Sequence, residues 1–272
     1  MVGWPITHSR SPVIHNYWLR RYGLVGEYRR EAVAPEAVAG FFADLTSRGY
    51  VGCNVTIPHK EAALAASEPD DCARAVGAAN TLWLDDGRLR STNTDVEGFT
   101  ANLDATAPSW ETGRGEAVVL GAGGSAHAVV YGLIEREIGT IHVVNRSAER
   151  ADELRRRFGT AVRPAQWSAL PQLLSRAGLL VNTTSLGMTG QPPLPIDLSP
   201  LRGDAVVADL VYAPLETTLL AAARARGLAT SDGLGMLLYQ AVRGFQQWFG
   251  VRPEVTRDLR AVLEADLAQT KE

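Results

Sequence analysis

Lys60 and Asp95 are the residues whose side chains together could perform proton transfer. Lys60 ends the polar segment 54–60, and Asp95 ends a second polar segment, 92–95. An amine held by a carboxylate can exchange a proton with a substrate oxygen, which is typically worth ~10²–10⁴ in rate. We interpret them as a candidate catalytic pair. The alternative is a surface lysine and a turn aspartate, and it stays open because spacing alone does not show that the side chains meet.

A glycine-rich turn follows further along the chain and predicts nucleotide binding. It comes directly after the aliphatic run 117–120 and before an apolar-periodic stretch at 128–133, which is the context that a dinucleotide-binding turn requires. Backbone N–H groups and the positive end of a helix dipole would face the pyrophosphate there. The candidate residues are Gly121, Ala122, Gly123, Gly124 and Ser125. Together with Lys60 and Asp95, the turn indicates carbonyl/alcohol redox chemistry with a nicotinamide cofactor.

The residues after the run 141–144 favour NADP over NAD. An NAD site usually presents Asp or Glu at this point to the ribose hydroxyls. Here the chain reads Asn145, Arg146 and Ser147, with Arg150 one turn further. Guanidinium groups can pair with a 2′-phosphate in bidentate fashion. Alternatively, Arg146 and Arg150 are solvated helix residues.

Several polar residues could bind a substrate, and each also has a structural interpretation. Ser9 and Ser11 lie at a predicted helix N-terminus, where two hydroxyls could hold a carboxylate, although Ser11 is also expected to be the N-cap. Thr56 and Asn80 could bind substrate hydroxyls or cap loops. Gln240 lies at the edge of an apolar helical stripe and could face a cleft or water.

The hydrophobic pattern predicts two α/β domains. Runs at 117–120, 141–144, 179–181 and 206–208 are nearly continuous in aliphatic residues, as a parallel sheet covered on both faces requires. Residues 104–115 have linker composition. We expect an N-terminal α/β substrate domain at 1–103, a Rossmann-type doubly wound NADP domain at 104–232, and C-terminal helices at 233–272 that return to the first domain.

The first domain is expected to alternate short elements. We predict strands at 27–33 and 50–55, a helix from Pro35 to Gly49, and a helix that opens at Pro58. A hairpin is predicted around the Asp85-Asp86-Gly87 turn. The last two helices are expected to begin after Asp232 and after Pro253.

Composition excludes several classes of function. The 272 residues are 46% hydrophobic, with a net charge of −3 and no basic stripe, so nucleic acid is not an expected partner. No apolar run reaches the ~18 residues of a membrane span, and the N-terminus does not read as a signal peptide. The histidines are scattered, so we expect no metal site. The two cysteines indicate free thiols in a cytoplasmic protein, which we expect to be a monomer or a homodimer.

Taken together, these motifs resemble the shikimate dehydrogenase family over nearly the full chain. The matching segments are 9–12 (SRSP), 54–60 (NVTIPHK), 77–81 (GAANT), 93–95 (NTD), 121–126 (GAGGSA), 145–147 (NRS), 182–188 (NTTSLGM), 209–214 (DLVYAP) and 233–240 (GLGMLLYQ). The chain departs from the family pattern at His127, where arginine is common, and at Ser147, where threonine is frequent.

The resemblance implies reversible NADPH-dependent reduction of 3-dehydroshikimate to shikimate, a step towards chorismate and the aromatic amino acids. It implies that Lys60 and Asp95 are catalytic and that Ser9 and Ser11 hold the substrate carboxylate. The further implied substrate contacts are Thr56, Asn80, Tyr212 and Gln240. The implied cofactor shell comprises 121–125, Asn145, Arg146, Ser147, Arg150, Leu210 and Gly233. The alternatives are a quinate or aminoshikimate dehydrogenase and, in another class, a non-catalytic NADP-binding sensor.

Overall fold

A computed structural model describes residues 1–108, 110–111 and 115–269. The chain forms two compact units: Met1–Asp95 with Leu237–Glu272, and Val96–Met236. The expected boundaries after 103 and 232 stay predictions. The chain passes from one unit to the other within helices rather than in loops.

The helices differ in length, and the longest spans 17 residues. They are α1 Ser11–Arg21, α2 Val38–Ala43, α3 Lys60–Ala65, α4 Asp71–Val76, α5 Thr94–Thr106, α6 Gly124–Glu135, α7 Ala148–Phe158, α8 Leu170–Leu174, α9 Thr218–Ala225, α10 Gly233–Phe249 and α11 Arg257–Gln269, with short 3-10 turns at Pro35–Ala37 and Trp167–Ala169. Among the described residues, no helix is both long and apolar enough to traverse a lipid bilayer.

The first unit contains a four-stranded sheet and a two-stranded parallel pair. Its strands are β1 Val2–Gly3, β2 Glu31–Ala32, β3 Gly52–Asn54, β4 Glu68–Pro69, β5 Thr81–Asp85 and β6 Arg88–Thr92. The larger sheet has the order β3-β5-β6-β4, and β1 pairs with β2. The predicted hairpin joins β5 to β6, and positive φ angles at Asp86 (48°) and Gly87 (76°) give the turn the twist that two-residue hairpins favour.

Three predictions for the first unit are wrong in detail. The strand expected at 27–33 is reduced to β2, because the Asn16 amide binds both the N–H and the carbonyl of Tyr28 (2.9 and 2.8 Å) and occupies that backbone. The helix expected to reach Gly49 ends at Ala43 and continues as isolated turns. The helix expected from Pro58 begins at Lys60.

The second unit is a six-stranded parallel sheet with helices on both faces. Its strands are β7 Glu116–Leu120, β8 Ile141–Val144, β9 Val162–Ala165, β10 Ala177–Asn182, β11 Val206–Asp209 and β12 Ala229–Ser231. Their order is β12-β11-β10-β7-β8-β9, the doubly wound order of dinucleotide-binding folds. The predicted fold class is confirmed.

Alternation along the central strands separates two hydrophobic cores. Val119 packs into one cluster and its neighbours Val118 and Leu120 into the other, which lie on opposite faces of the sheet. The four predicted aliphatic runs are the four central strands. The edge strands β9 and β12 were not predicted, because they are only partly buried and neither is a continuous aliphatic run.

The predicted linker 104–115 is partly wrong. Its first three residues belong to α5, which extends to Thr106. Residues 109 and 112–114 lie outside the described part of the chain.

Candidate active site

Lys60 and Asp95 meet in the first unit. Lys60 is the first residue of α3 and Asp95 is the second residue of α5. Lys60 Nζ lies 2.5 Å from Asp95 Oδ2, and the side chains are 22% and 11% exposed. The positive end of the α3 dipole disfavours an ammonium at this place, so the adjacent carboxylate supplies the compensating charge.

Asn80 and Gln240 complete this arrangement, which we call the Lys60 cluster (Lys60, Asn80, Asp95 and Gln240). The Asn80 amide donates to Asp95 Oδ1 at 2.8 Å and to Gln240 Oε1 at 3.3 Å. Both carboxylate oxygens of Asp95 are therefore engaged. The backbone N–H of Thr94 donates to Asn80 Oδ1 at 2.8 Å, which fixes which end of the amide faces Asp95.

Two further contacts of helix α10 place Gln240 beside Asn80, one with the N-cap residue of α4 and one with strand β5. Arg243 forms an ion pair with Asp70 at 3.0 Å. The indole N–H of Trp248 donates to Leu82 O at 2.8 Å. The close approach of Trp248 requires glycine at position 52, since a Cβ there would lie 2.1 Å from the indole nitrogen.

A second buried layer supports the cluster. The Tyr28 hydroxyl donates to Asn54 Oδ1 at 2.5 Å, and the Asn54 amide donates to Thr81 Oγ1 at 2.9 Å. Thr81 Oγ1 in turn donates to Asn80 Oδ1 at 3.1 Å. Burial raises the pKa of the Tyr28 phenol well above its usual value, so this group stays a proton donor. Sequence reasoning did not select Tyr28, because it lies in no pattern that separates it from ordinary strand and loop residues. Thr81 was given no role either, although it ends the matching segment 77–81.

Ser9, Ser11 and Thr56 lie on neighbouring segments of the same unit. The Ser11 backbone N–H donates to Ser9 Oγ at 3.4 Å, and Ser11 is 3% exposed. The prediction that Ser11 is the N-cap of α1 is wrong: Arg10 occupies that position and Ser11 is the first helical residue. Thr56 is half-buried, and its N–H donates to Val2 O at 2.9 Å.

The glycine turn of the second unit joins β7 to α6. Gly121 has φ +102°, and a Cβ there would lie 2.8 Å from Thr183 Oγ1, so this position requires glycine. Gly123 is the residue before the helix, and Ala126 is fully buried against the sheet. An added Cβ at Gly123 or Gly124 would meet no atom within 4 Å. The backbone at the start of α6 is thus open to a ligand, and an anion fits there.

The segment after β8 carries the predicted 2′-phosphate residues. Asn145 donates to Ser147 O at 2.9 Å, and Ser147 is the N-cap of α7. Arg146 and Arg150 are exposed. The Ser147 hydroxyl also donates to Glu149 Oε2 at 2.7 Å, a carboxylate that sequence reasoning did not consider. This hydrogen bond is the main cause of a lowered pKa for Glu149.

A cleft of about 600 Å³ opens beside this segment. Asn145 and Arg146 line one side, and Pro164 and Trp167 line the other. Its size and partly apolar wall suit a flat heterocycle attached to the phosphates. Trp167 was not among the predicted cofactor residues, because it follows an edge strand that the sequence did not reveal.

Leu210, Tyr212 and Gly233 lie at the carboxyl edge of the sheet or just beyond it. Leu210 follows β11 directly, and its N–H donates to Asn182 O at 3.0 Å. Tyr212 is half-buried in the same loop. A Cβ at Gly233 would lie 2.3 Å from Leu210 O, so this helix start also requires glycine.

Asn182 and Asp209 hold the loops at this edge, although no role was predicted for either. Asp209 is 1% exposed and accepts hydrogen bonds from the Asn182 amide (2.9 Å), the Val211 N–H (3.1 Å) and the Thr217 hydroxyl (2.7 Å). Burial raises the pKa of this carboxyl group. Polar residues that end two adjacent parallel strands are the signal that could have found them.

Comparison with protein-family models gives three matches along the chain. Residues 1–82 match the shikimate dehydrogenase substrate binding domain, and residues 107–188 match the shikimate / quinate 5-dehydrogenase model. Residues 233–263 match the shikimate 5′-dehydrogenase C-terminal domain.

Individual relatives agree with these models. A protein named shikimate dehydrogenase (NADP(+)) from Rhodopseudomonas palustris (strain TIE-1) is 66% identical over 98% of this chain and 96% of its own length. A shikimate 5-dehydrogenase structure from Thermus thermophilus, in complex with NADP(H) and shikimate, is 34% identical with a TM-score of 0.85, covering 98% of this chain and 97% of that one. Quinate dehydrogenase from Corynebacterium glutamicum in complex with NAD is 30% identical with a TM-score of 0.89, covering 97% of each chain.

Proposed function

This chain belongs to the shikimate dehydrogenase family, and from that premise we propose how its residues perform the family's reaction. The protein is an NADP-dependent oxidoreductase that reversibly reduces 3-dehydroshikimate to shikimate. The observation that carries the assignment of residues is the contact of Lys60 with Asp95, to which Asn80 and Gln240 are joined.

Lys60 and Asp95 manage the proton. NADPH, when bound, supplies the hydride that adds to the C3 carbonyl carbon. The Lys60 ammonium donates a proton to the oxygen as the C=O double bond becomes a C–O single bond, and solvent restores the lysine proton. Asp95 holds the ammonium in place at 2.5 Å and stabilises its charge. In the reverse direction the Lys60 amine accepts the hydroxyl proton.

The remaining polar groups of the first unit orient the substrate. Ser9 and Ser11 hold the ring carboxylate at the N-terminus of α1, where the helix dipole favours an anion. Asn80, Gln240 and Thr56 bind ring hydroxyls. Since Thr94 fixes the orientation of the Asn80 amide, its N–H groups face Asp95 and Gln240, which supports a role in orienting rather than in proton transfer.

The second unit holds the cofactor. The open backbone at Gly123 and Gly124 supports pyrophosphate binding. Arg146 and Arg150 provide the positive charge for a 2′-phosphate, and Ser147 can exchange its hydrogen bond from Glu149 to that phosphate. Leu210 and Gly233 line the other end of the cofactor site.

A turnover panel tests the substrate. Purified protein is assayed with NADP and shikimate, quinate or aminoshikimate in separate reactions. We expect the highest kcat/KM with shikimate. A higher kcat/KM with quinate and NAD would instead favour the activity named for the quinate dehydrogenase relative, and nucleotide binding without turnover of any ring polyol would favour a sensor.

Location and assembly complete the proposal. Cys53 and Cys72 are thiols rather than disulfide-bonded cysteines, which supports a reducing compartment such as the cytoplasm. We assign the protein a monomeric or homodimeric state, which gel filtration with light scattering would measure.

A further inference from the structure

Arg10 lies between the two serines that are assigned to the substrate carboxylate. It is the N-cap residue of α1, with Ser9 before it and Ser11 after it. Its side chain is only 11% exposed, so it is not a solvated surface arginine. A guanidinium group at this place is close to the position assigned to an anion, and the direction in which it points therefore affects anion binding.

Arg10 forms an ion pair with a residue that is distant in sequence. Arg10 Nε forms an ion pair with Asp266 Oδ2 at 3.0 Å, and the Asp266 side chain is 33% exposed. Asp266 lies near the end of α11, the C-terminal helix of the same unit. Partly buried pairs are screened less than surface pairs, so this contact can hold its geometry in physiological salt.

Two other contacts fix α11 and the segment before it on α1, and both are at the opposite end of α1. The Trp18 indole N–H donates to Glu254 O at 3.1 Å, and the Glu254 N–H donates to Tyr22 Oη at 3.1 Å. The C-terminal segment thus runs antiparallel to α1. At Asp266 this segment reaches the N-terminus of α1, where Ser9 and Ser11 lie.

The serine segment is held from a second side as well. Arg30 donates to Ser9 O through Nε and Nη2, at 2.9 and 2.7 Å. Ser9 is therefore fixed through its carbonyl, and Arg10 through Asp266.

We propose that Asp266 is a positioning residue for substrate binding: its ion pair with Arg10 holds the Ser9–Ser11 segment in the geometry that binds the substrate carboxylate. The inference rests on the proposed function, in which these serines bind that carboxylate. It assigns to the C-terminal helix a role in substrate affinity in addition to its role in folding.

The experiment compares Asp266→Asn, which removes the charge at nearly constant size, with wild type in the full chain. The substrates are shikimate and shikimate methyl ester, which has no carboxylate charge. For Asp266→Asn we expect about a tenfold rise of KM for shikimate, with kcat and the KM for NADP within about twofold of wild type. We expect kcat/KM for the methyl ester to be unchanged. Asp266→Glu keeps the charge that pairs with Arg10 and should hold the KM for shikimate within about threefold of wild type.

Tyr22→Phe is the matched control, because it removes a contact of the same segment at the far end of α1. It should lower thermal stability but leave the KM for shikimate unchanged. If Asp266→Asn behaves like Tyr22→Phe, or impairs the methyl ester as much as shikimate, Asp266 is a structural residue and the proposal is overturned. Should Asp266→Asn fail to fold, Asp266→Ser is measured in its place. A rise of about tenfold in the KM for shikimate with an unchanged methyl ester supports the proposal, and a smaller rise or an equal effect on the methyl ester refutes it.

Ser9→Ala and Ser11→Ala separate this inference from the proposed function. If both serine variants raise the KM for shikimate while Asp266→Asn does not, only the role of Asp266 is wrong. If neither serine variant changes that KM, the carboxylate site itself is wrong and the role of Asp266 is rejected with it.

Discussion

In the first unit the candidate catalytic groups are side chains that hydrogen-bond to one another, whereas in the second unit the candidate cofactor groups are largely backbone atoms and exposed guanidinium groups. Lys60, Asp95 and Asn80 are connected at 2.5 and 2.8 Å. Gly123 and Gly124 present bare backbone, and Arg146 lies in solvent. The first site is thus a connected set of side chains, and the second is an open stretch of backbone beside positive charge.

The difference follows from what each ligand demands. Proton transfer requires one amine at one oxygen, so the amine must be held by neighbours that are themselves fixed. A pyrophosphate carries its charge over many oxygens, so several N–H groups at a helix end can bind it without a unique side chain. Substitutions in the first site should therefore lower kcat, and those in the second should mainly raise KM for the cofactor.

The largest effect is expected for Lys60→Ala. Loss of the proton donor should lower kcat by ~10²–10⁴ while the KM for shikimate changes little. Steady-state kinetics in both directions measures this. Glu61→Ala, the next residue on α3 and fully outside the Lys60 cluster, should be close to wild type. A change mainly in KM would make Lys60 a binding residue and remove the contrast between the two sites.

Two glycines of the cofactor turn should respond in opposite ways. Gly121→Ala forces a side chain into positive φ and against Thr183, which should cost about 1–3 kcal/mol of unfolding free energy or more. Gly123 has φ −94°, and an added Cβ would meet free space there. The stability of Gly123→Ala should therefore stay near wild type, while its KM for NADP rises. Urea unfolding and cofactor titration measure both quantities. Equal destabilisation of the two variants would show that Gly123 also has a folding role.

Arg146→Ala should raise the KM for NADP with little effect on that for NAD. Hydrogen bonds to charged groups contribute about 1.5–3 kcal/mol, which predicts a rise of roughly 10- to 100-fold at low salt and less at high salt. Arg156→Ala is the control, because this arginine is exposed in the last turn of α7, the helix that follows Arg146. An unchanged ratio of the two KM values would contradict the assignment of the 2′-phosphate site.

The most gradual effect is expected from a fall in pH, which should lower the unfolding free energy through His15. His15 is fully buried, and burial lowers its pKa to about 3 from an ordinary 6.5. A depressed folded-state pKa means that its contribution to stability is complete above pH 6.5 and is lost as the pH falls towards about 3. The wild-type unfolding free energy should include a slope of about 1.4 kcal/mol per pH unit in this window.

His15→Phe should remove that part of the slope, and His8→Phe, at an exposed position, should not. Denaturant unfolding at several pH values between 7 and 4 measures the slope. The same slope in wild type and His15→Phe would mean that the ring is protonated without unfolding.

The accuracy of the sequence predictions also differs between the units. In the second unit, the four central strands and the glycine turn were predicted, because burial on both faces makes a strand an aliphatic run that can be recognised locally. In the first unit, short strands such as β2 and β4 depend on partners elsewhere in the chain. The Tyr28 backbone is bound by Asn16 rather than by a strand, and no local pattern indicates this.

The sequence by itself determined the groups available for chemistry: an amine, a carboxylate, two hydroxyls at the start of a helix, and a turn in which glycine follows a buried strand. These properties depend on residue type and on neighbours a few positions away. Only the tertiary structure decided that Lys60 contacts Asp95, that Asn80 contacts Gln240, and that Asp266 holds Arg10. Each of these contacts joins residues that are distant along the chain. The packing of whole helices and sheets sets the distance between them, and the local sequence does not determine that packing.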